Sequence, residues 1–487
     1  MFLRVAPLLF RGLLVGLLLA SLWPEACASA ENGVDGELGA RTFYVDSETG
    51  RDSNDGQAPD QAWQSLDQVN AAELKPGDAV RFKSGGVWRG SLVPASGDAD
   101  APITYTSFGQ GPKPRILGSL PRSRTEDWVQ VRENVWATLP QDIQLQSAPR
   151  NITDPLTVDV GNIIFDDGGV CGWKKWSLDD LSKPYDYYYE RTAQRVYLYL
   201  EAAPASRHRS IELALARHIV SQGGKHHVVF DGLALMYGAA HGFGGGNTHH
   251  LVIRNCDLGY IGGAHQLTTQ DGSPVRYGNA IEFWGAAQDN LVEGCRIWEV
   301  YDAALTNQGQ GPDSKQINIT YQNNVIWNSE YSFEYWNHPE TAVTQNIRFL
   351  HNTCVRAGRG WAHAQRPDPN GSHLMFYSNT AATSGIEVKY NIFYDHTDWG
   401  SRYSSGWRVL PDIDHNLWFS ETGVMAYWFR DKIATFDEYR QTTGLDAHSR
   451  FADPQFVDAA RGDYRLRPDS PARTLRPDGG PVGAEMR

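Results

Sequence analysis

The chain has 487 residues, with 57 acidic and 44 basic side chains and a formal net charge of −13 at pH 7. This charge argues against nucleic acid and anionic membranes as partners, and mildly against a highly anionic polymer as substrate. Beyond residue 30, no stretch approaches the roughly 20 apolar residues of a membrane-spanning helix.

The first 30 residues have the pattern of a secretory signal peptide. Arg4 and Arg11 precede an apolar run at 13–22, and small residues follow at 26–30. Such a segment directs export and is then removed. A membrane anchor is the alternative, but a Pro-Glu pair at 24–25 interrupts the apolar run. We therefore expect a periplasmic or secreted protein with no membrane attachment after signal removal.

Residues 31–118 are predicted to form an N-terminal cap and the first turns of a solenoid. Strands are expected at 42–46 and 79–83, with a short helix at 65–72 between them. The helix carries Leu66 and Val69 at i and i+3, so it has one apolar face. A helix of this kind covers the open end of a solenoid core.

Residues 119–215 break the solenoid pattern. Strand-like runs at 162–165, 186–189 and 195–200 predict an antiparallel β-rich insertion beside the main body. The solenoid pattern resumes at 228–233.

The central part of the solenoid is predicted at 216–430. Between about Leu251 and Phe419 it repeats one short sequence pattern, an alternating apolar strand that ends in Asn or Cys. Aligning the copies places the following residues in one column: Cys256, Cys295, Asn324, Asn352, Asn391 and Asn416. The steps between them are 39, 29, 28, 39 and 25 residues. A period in this range, with loops absorbing the excess, is typical of a solenoid in which each copy is one rung.

This column is expected to be structural. Stacked Asn side chains satisfy the backbone groups of the turns, so we exclude them from the functional site. Cys256 and Cys295 would lie on neighbouring rungs, ~4.8 Å apart, which is close to disulfide range. A pair of buried thiols is the alternative. No Cys/His spacing of a zinc site is present.

These rungs lie between recognisable ends. A Tyr-Val-Asp strand at 44–46, an Asn-Asp-Gly loop at 54–56 and a Pro-Gly-Asp turn at 76–78 precede them, and a closing segment at 431–487 follows. The chain thus resembles secreted carbohydrate-active enzymes of the pectate-lyase-like superfamily, in particular glycoside hydrolase-like members. The resemblance implies an all-β, right-handed parallel β-helix with an N-terminal capping helix and a β-rich insertion. It also implies a polysaccharide or oligosaccharide substrate, and we expect a monomer.

A second strand follows each turn, at 278–284, 302–308, 330–336 and 359–365. Strand parity directs Ile281, Leu305, Phe333 and Ala362 inward, and their neighbours outward. The predicted outward columns are Glu282, Thr306, Glu334 and His363; Trp284, Gln308, Trp336 and Gln365; and Asp302, Glu330 and Arg359. One face of the sheet would therefore collect carboxylates, a His, an Arg and two Trp residues.

Paired carboxylates suit glycoside hydrolysis, in which one acid protonates the leaving oxygen and the other is a nucleophile or activates water. Glu334 is the predicted acid, because its aromatic neighbours raise a carboxyl pKa. Glu282 is the predicted base, two rungs or ~9.6 Å away, near the inverting separation of roughly 6.5–9.5 Å. Asp302 is the second candidate, offset from Glu334 by ~13 Å along the strand unless a bulge or turn closes the gap.

Other residues of this face are predicted to serve the site. His363 is expected to tune the acid and base, and the residues expected to bind substrate are Trp284, Trp336, Arg359, His338, Asn337 and Gln308. Each candidate residue of the face also has a purely structural interpretation. Tryptophan often packs under loops, and a lone outward Glu is often only a solvated surface residue. No metal or cofactor is predicted, and calcium binding is left open.

Two other functions are compatible with this pattern. A polysaccharide lyase or uronan epimerase needs a base at C5 and neutralisation of the uronate, for which His363, Arg359, Lys389 and Arg366 are candidates. A non-catalytic glycan-binding or adhesion solenoid would use the aromatic residues, but it leaves the clustered carboxylates unexplained.

Overall fold

The computed structural model describes residues 40–139, 159–421 and 424–486. The predicted signal peptide at 1–30 lies outside the described residues. Within the described ranges, no helix combines the length and the apolar character needed to cross a bilayer.

Parallel strands wind into a β-helix. Two faces of the helix belong to one large sheet, whose strands within the described residues are Thr42–Val45, Ala79–Lys83, Ile103–Phe108, Val220–Ser221, His226–Asp231, Phe243–Gly244, Gly246–Arg254, Ile281–Gln288, Leu291–Glu293, Ala303–Gln310, Lys315–Gln322, Tyr331–His338, Val343–Leu350, Ser372–Asn379, Ala382–Lys389, Trp399–Tyr403, Asp412–Asp414, Val424–Trp428 and Asp431–Ile433.

A narrower parallel sheet forms the third face. Its strands are Val87–Arg89, Arg115–Leu117, Ala234–Met236, Asp257–Ile261, Arg296–Val300, Val325–Trp327, Thr353–Ala357, Ile392–His396, Leu417–Phe419 and Arg450–Phe451. The prediction of an all-β parallel β-helix is confirmed by this topology. Each rung has three strands, one more than the two recognised in the sequence.

The register of the rungs follows the inward apolar residues. Ile281 pairs with Leu305, Leu305 with Phe333, and Phe333 with Leu374. All four are fully buried in the core that runs through the helix. Because side chains alternate between the two faces of a strand, the residues on either side of each point outward.

The Asn column is present at a turn of each rung. The Nδ2 of Asn324 donates to the Oδ1 of Asn352 at 3.0 Å, Asn352 donates to Asn391 at 3.1 Å, and Asn391 to Asn416 at 3.0 Å. Each Oδ1 in the series also accepts a backbone N–H from the preceding rung, as Asn352 does from Asn324 at 3.0 Å. Cys256 and Cys295 continue the column as buried free thiols.

One predicted strand is wrong. The segment 359–365 forms a turn and a 3-10 helix at His363–Gln365, and the strand that pairs with Tyr331–His338 is Ser372–Asn379. Met375, not His363, therefore follows Glu334 in the outward column. Ala362 does not belong to the inward stack, although it is buried elsewhere. The extra residues between Asn352 and Asn391 form a loop ahead of the strand.

Short helices cover both ends of the core. Leu66–Ala71 begins at Ser65, whose Oγ accepts a hydrogen bond from the backbone of Gln68 at 3.1 Å, and it buries Leu66 and Val69. Phe436–Thr443 buries Phe436 and Tyr439 at the other end. The other helical turns in the part of the chain that the structure describes are Pro59–Gln61, Thr125–Asp127, Asp166–Gly168, Leu178–Asp180, Pro204–Arg207, Ala459–Arg461 and Pro471–Thr474.

Two sheets lie beside the helix in the region of the predicted insertion. One contains Ser119–Pro121, Val160–Phe165, Val170–Cys171 and Ile211–Leu215, and the other Trp128–Arg132, Val135–Thr138, Trp173–Lys175, Asp186–Glu190 and Arg195–Tyr199. All pairings are antiparallel except that of Trp173–Lys175 with Asp186–Glu190. Two hairpins complete the described strands, Ala264–Thr268 with Pro274–Tyr277, and Phe456–Asp458 with Asp463–Leu466.

Arg276 joins the insertion to the helix. Its guanidinium donates to the carbonyl of Gly161 at 2.9 Å and to the Oε1 of Gln365 at 3.0 Å. Gln365 in turn donates to the carbonyl of Gly172 at 2.8 Å. These bonds hold the insertion and the Ala264–Tyr277 hairpin against the face on which the candidate site lies.

Candidate active site

A cleft of about 600 Å³ opens on the outer face of the strands Ile281–Gln288, Ala303–Gln310 and Tyr331–His338. This size is in the usual range of small-molecule and cofactor sites. The residues that line it are His241, Gln266, Tyr277, Asn279, Glu282, Trp284, Asp302, Gln308, Glu334, Trp336, His338, Tyr377, Ser378 and Ser404.

Three carboxylates meet in this cleft. Glu282 and Glu334 lie in one outward column, separated by Thr306, and only 7% and 4% of their surfaces are exposed. Asp302 lies at the bend ahead of the Ala303–Gln310 strand and lines the same cleft. Its negative charge acts on Glu334 across this cleft.

Glu334 has the most strongly perturbed carboxyl of the three. Burial raises its pKa well above the usual range, and the negative charges of Asp302 and Glu282 raise it further. The Nε2 of Gln308 donates to its Oε1 at 3.2 Å. A carboxyl in this environment keeps its proton to higher pH than a free glutamic acid, because the anion is poorly solvated and faces two like charges.

Glu282 is buried as well, and burial raises its pKa, but two donors face it. The Nδ2 of Asn279 donates to its Oε2 at 3.0 Å, and the Nε2 of His241 lies 3.4 Å from the same oxygen. The Nδ1 of His241 accepts the backbone N–H of Asn279 at 2.9 Å, so the ring proton lies on Nε2 and points toward Glu282.

His241 stays neutral near pH 7. Its ring stacks on that of His218, with centroids 5.0 Å apart, and burial lowers the pKa of both to about 4. His241 is therefore a fixed hydrogen-bond donor to Glu282, and it adds no positive charge to the cleft. Neither His241 nor Asn279 was identified from the sequence. Asn279 lies next to the strand of Glu282, but His241 belongs to a Gly- and Ala-rich segment with no distinguishing pattern.

Arg366 supports Asp302 from behind the cleft. Its Nη1 lies 3.2 Å from the Asp302 carboxylate and donates to the carbonyl of Tyr301 at 2.9 Å. The guanidinium lies over the rings of Tyr301 and Tyr331, 5.1 and 5.5 Å from their centroids. Burial raises the pKa of Asp302, and the positive charge of Arg366 opposes this rise. The sequence indicated Arg366 only as a base for the lyase alternative.

Two indoles form one wall of the cleft. Trp284 and Trp336 flank Gln308 in the strand register, and their rings meet edge to face with centroids 5.5 Å apart. The His338 ring stacks on Trp336 at 5.1 Å. Trp284 remains 36% exposed, so an apolar ring face is accessible to a ligand.

Three of the predicted site residues lie elsewhere. The Nδ1 of His363 lies 3.0 Å from the buried carboxylate of Glu330, which raises the pKa of His363, and this pair does not line the cleft. Arg359 pairs with Asp395 at 3.0 Å on an exposed turn. Asn337 points into the interior, where its amide donates to the carbonyl of Val343 at 2.9 Å.

The charge of the cleft lining is negative. Its ionisable groups are Glu282, Asp302 and Glu334, with two His and two Tyr residues, and no Lys or Arg occurs among the described lining residues. The carboxylate oxygens are ligands of the type that Ca²⁺ accepts. That the site needs no metal or cofactor stays a prediction from the sequence.

Comparisons with known proteins give distant likenesses. No family model matches the chain. The uncharacterized protein YwoF of Bacillus subtilis (strain 168) is 38% identical over 65 residues, which is 13% of this chain and 14% of that relative. The chain therefore aligns with only a small part of that relative's length.

Several solved structures align with the chain at low sequence identity and with TM-scores below 0.5. The alignment with a complex of XylC with xylose covers 80% of this chain and 69% of the XylC chain, at 12% identity and a TM-score of 0.49. The alignment with pectate lyase Pel9A covers 93% of this chain and 94% of the Pel9A chain, at 13% identity and a TM-score of 0.46. The GH136 lacto-N-biosidase from Eubacterium ramulus aligns with 85% and 67%, at 12% identity and a TM-score of 0.41. No activity is carried over from these likenesses.

Proposed function

We propose that the chain is a glycoside hydrolase that cleaves a polysaccharide or oligosaccharide with paired carboxylates. The observation that carries this proposal is the cleft itself. Glu334 is a buried carboxyl with a strongly raised pKa, and it lies two strands from Glu282, a second carboxyl that accepts a hydrogen bond from Asn279. The exposed indole of Trp284 lies in the same cleft. These are the parts that acid-assisted cleavage of a glycosidic bond requires.

Glu334 is the proposed acid. It gives its proton to the glycosidic oxygen as the bond to the anomeric carbon breaks. Its raised pKa fits this role, because an acid with a pKa near the working pH is both protonated and able to donate. Asp302 keeps that pKa high with its own negative charge, and Arg366 holds Asp302 in place.

Glu282 is the proposed base. It takes a proton from a water molecule, whose oxygen bonds to the anomeric carbon on the face opposite the leaving group. The donors Asn279 and His241 favour its ionised form. Residues two strands apart on a sheet are separated by ~9.6 Å, close to the roughly 6.5–9.5 Å that leaves room for water. We therefore propose inversion at the anomeric carbon.

A neutral or amino sugar is the proposed substrate class. Trp284 and Trp336 offer ring faces on which a pyranose can stack, and Gln308 and His338 offer hydrogen bonds beside them. A uronate would need a cation to offset its carboxylate, and the described lining has no Lys or Arg. We further propose that the enzyme is exported to the periplasm or secreted, which rests on the pattern of residues 1–30. That it works as a monomer is a separate proposal.

Product analysis tests the proposal. The wild type is incubated with neutral, amino-sugar and uronate polysaccharides, beside Glu334→Gln and Glu282→Gln. Loss of general acid or base catalysis typically lowers the rate by about 10²–10⁴-fold. Glu387→Gln is the matched control, because Glu387 lies on another face of the β-helix in the strand Ala382–Lys389 and pairs there with Arg348. It should leave the rate unchanged.

The product identifies the reaction class. New reducing ends without absorbance from an unsaturated uronate, lost in Glu334→Gln and kept in Glu387→Gln, would establish a hydrolase. An unsaturated product would instead establish a lyase. Binding without any product in the wild type would favour a glycan-binding protein. Full activity in Glu334→Gln would contradict the acid assignment.

A further inference from the structure

Four histidines lie together on two neighbouring rungs, apart from the cleft. His226 and His227 begin the strand His226–Asp231, and His249 and His250 lie in the strand Gly246–Arg254. The two strands are parallel, and His226 pairs with His249 in their register. None of the four lines the candidate active site.

The turn does not require histidine at these positions. His227 and His250 have φ values of 53° and 54°, in the left-handed region. The residues at the same turn position on the following rungs have similar values and are Asp289, Asn318, Asn346 and Gly385. Those types adopt the left-handed region readily. The position before the turn, filled by His226 and His249, is occupied on three later rungs by Gln288, Gln345 and Ser384.

Ligand nitrogens of three of the four rings converge. His226 stacks on His249 with centroids 4.7 Å apart, and His227 stacks on His250 at 4.5 Å. Within each rung the two Nδ1 atoms lie 3.1 Å apart. Ligand nitrogens of His226, His227 and His249 all lie within 4.8 Å of one another.

The 3.1 Å spacing within each rung suits a hydrogen bond between the two rings, and it also suits shared coordination of one ion. Zinc binds imidazole nitrogen at about 2.0–2.1 Å, so two nitrogens on one ion lie about 3.3 Å apart in a tetrahedral site and about 2.9 Å apart at adjacent corners of a square. The observed 3.1 Å lies between these values.

We propose that His226, His227 and His249, with His250 as the fourth donor, bind one divalent transition metal ion of the class Zn²⁺, Ni²⁺ or Cu²⁺. An all-nitrogen donor set suits these ions and does not suit Ca²⁺ or Mg²⁺, which prefer oxygen. The bound ion would clamp two rungs near the N-terminal end of the β-helix.

The surroundings support binding of a cation. A carboxylate oxygen of Asp289 lies 3.8 Å from the Nε2 of His250. Its negative charge reduces the cost of placing a positive ion here.

Metal binding by the tag-free full-length protein tests the proposal, since a polyhistidine tag would bind the same ions. The protein is loaded with Zn²⁺, desalted and analysed for metal, and its Tm is measured with and without Zn²⁺ and with Ca²⁺. The test variant combines His226→Gln, His249→Gln, His227→Asn and His250→Asn. Gln and Asn occupy the same positions on other rungs, so the turns are preserved.

His448→Gln is the matched control. His448 belongs to a separate group with Asp414 and His415, whose ligand atoms also lie within 4.8 Å of one another. We expect the wild type and His448→Gln to retain about one equivalent of zinc and to gain thermal stability from it. The quadruple variant should lose both effects, and Ca²⁺ should give no shift in Tm.

The proposal would be overturned if the wild type retained no zinc, or if the quadruple variant retained as much zinc as the wild type. Loss of zinc in His448→Gln alone would overturn it too, since it would place the ion at the other group. If the quadruple variant does not fold, the pair His226→Gln and His249→Gln leaves both turn residues unchanged and decides the question in the same way.

Discussion

The column of buried Asn side chains is expected to contribute strongly to the free energy of unfolding. Asn352 is fully buried, and its side chain makes four hydrogen bonds. Its Oδ1 accepts the backbone N–H and the Nδ2 of Asn324, both at 3.0 Å. Its Nδ2 donates to the carbonyl of Tyr321 and to the Oδ1 of Asn391, both at 3.1 Å. Asn352→Ala removes all four bonds and supplies no replacement.

The expected loss can be worked out bond by bond. The Nδ2 of Asn324 keeps its hydrogen bond to the carbonyl of Val292 and loses only the one to residue 352. The Oδ1 of Asn391 still accepts the backbone N–H of residue 352 and loses only the bond from the side chain. Removing these two bonds and the one to Tyr321 costs about 1 kcal/mol each, and leaving the backbone N–H of Asn324 unsatisfied in the core costs about 1–3 kcal/mol. We therefore expect the free energy of unfolding to fall by about 4–6 kcal/mol.

Urea unfolding followed by tryptophan fluorescence measures this change as a shift of the midpoint at unchanged slope. Asn346→Gly is the control. Asn346 belongs to the exposed outer turn column, donates to Asn318 at 2.9 Å, and is followed on the next rung by Gly385. This change should cost less than about 1 kcal/mol. A loss below about 1 kcal/mol in Asn352→Ala would refute the view that the column holds the rungs together.

Three further predictions concern the cleft. Asp302→Asn removes a negative charge that raises the pKa of Glu334, so the fall of activity on the alkaline side of the pH profile should move to lower pH. An unchanged alkaline side would contradict the effect of Asp302 on Glu334. Trp336→Ala should raise KM by about 10-fold or more, judging from about 1.5–3 kcal/mol for a buried apolar side chain, with a smaller change in kcat; an unchanged KM would remove the indole from substrate binding. Glu334→Gln should raise the Tm more at pH 8 than at pH 4. In the unfolded chain Glu334 ionises near the ordinary pKa of glutamate, whereas in the folded protein it keeps its proton to higher pH, so the wild type loses stability as the pH rises above that ordinary value. An equal effect of the substitution on the Tm at both pH values would contradict the raised pKa.

The outward column of carboxylates followed from repetition in the sequence. A rung places aligned residues next to each other, and strand parity decides which of them face outward. Glu282, Thr306 and Glu334 could therefore be assigned to one column, with Trp284 and Trp336 in another, from spacing alone. The same reasoning predicted the Asn column, because only residues that tolerate the turn and satisfy its backbone groups can recur there.

The rung after Glu334 was misassigned for a physical reason. The 39-residue step from Asn352 to Asn391 showed that extra residues were present, but it did not show where they lie. Both 359–365 and 372–379 contain alternating apolar residues, and either could have continued the sheet. The inward stack selects Leu374 and Phe376, which fill the core beside Phe333 and Tyr335, and this leaves His363 in the loop.

The sequence by itself determined the β-helix, its rungs and the carboxylates that share a face, since all of these depend on periods of two residues along a strand and of one rung along the chain. Only the tertiary structure decided what surrounds them. His241, Arg366 and the hairpin residue Gln266 reach the site region from loops and turns of other rungs, outside any repeat. The pKa of Glu334 and the hydrogen bonds of Glu282 depend on these surroundings, because burial and charge act through space and not along the sequence.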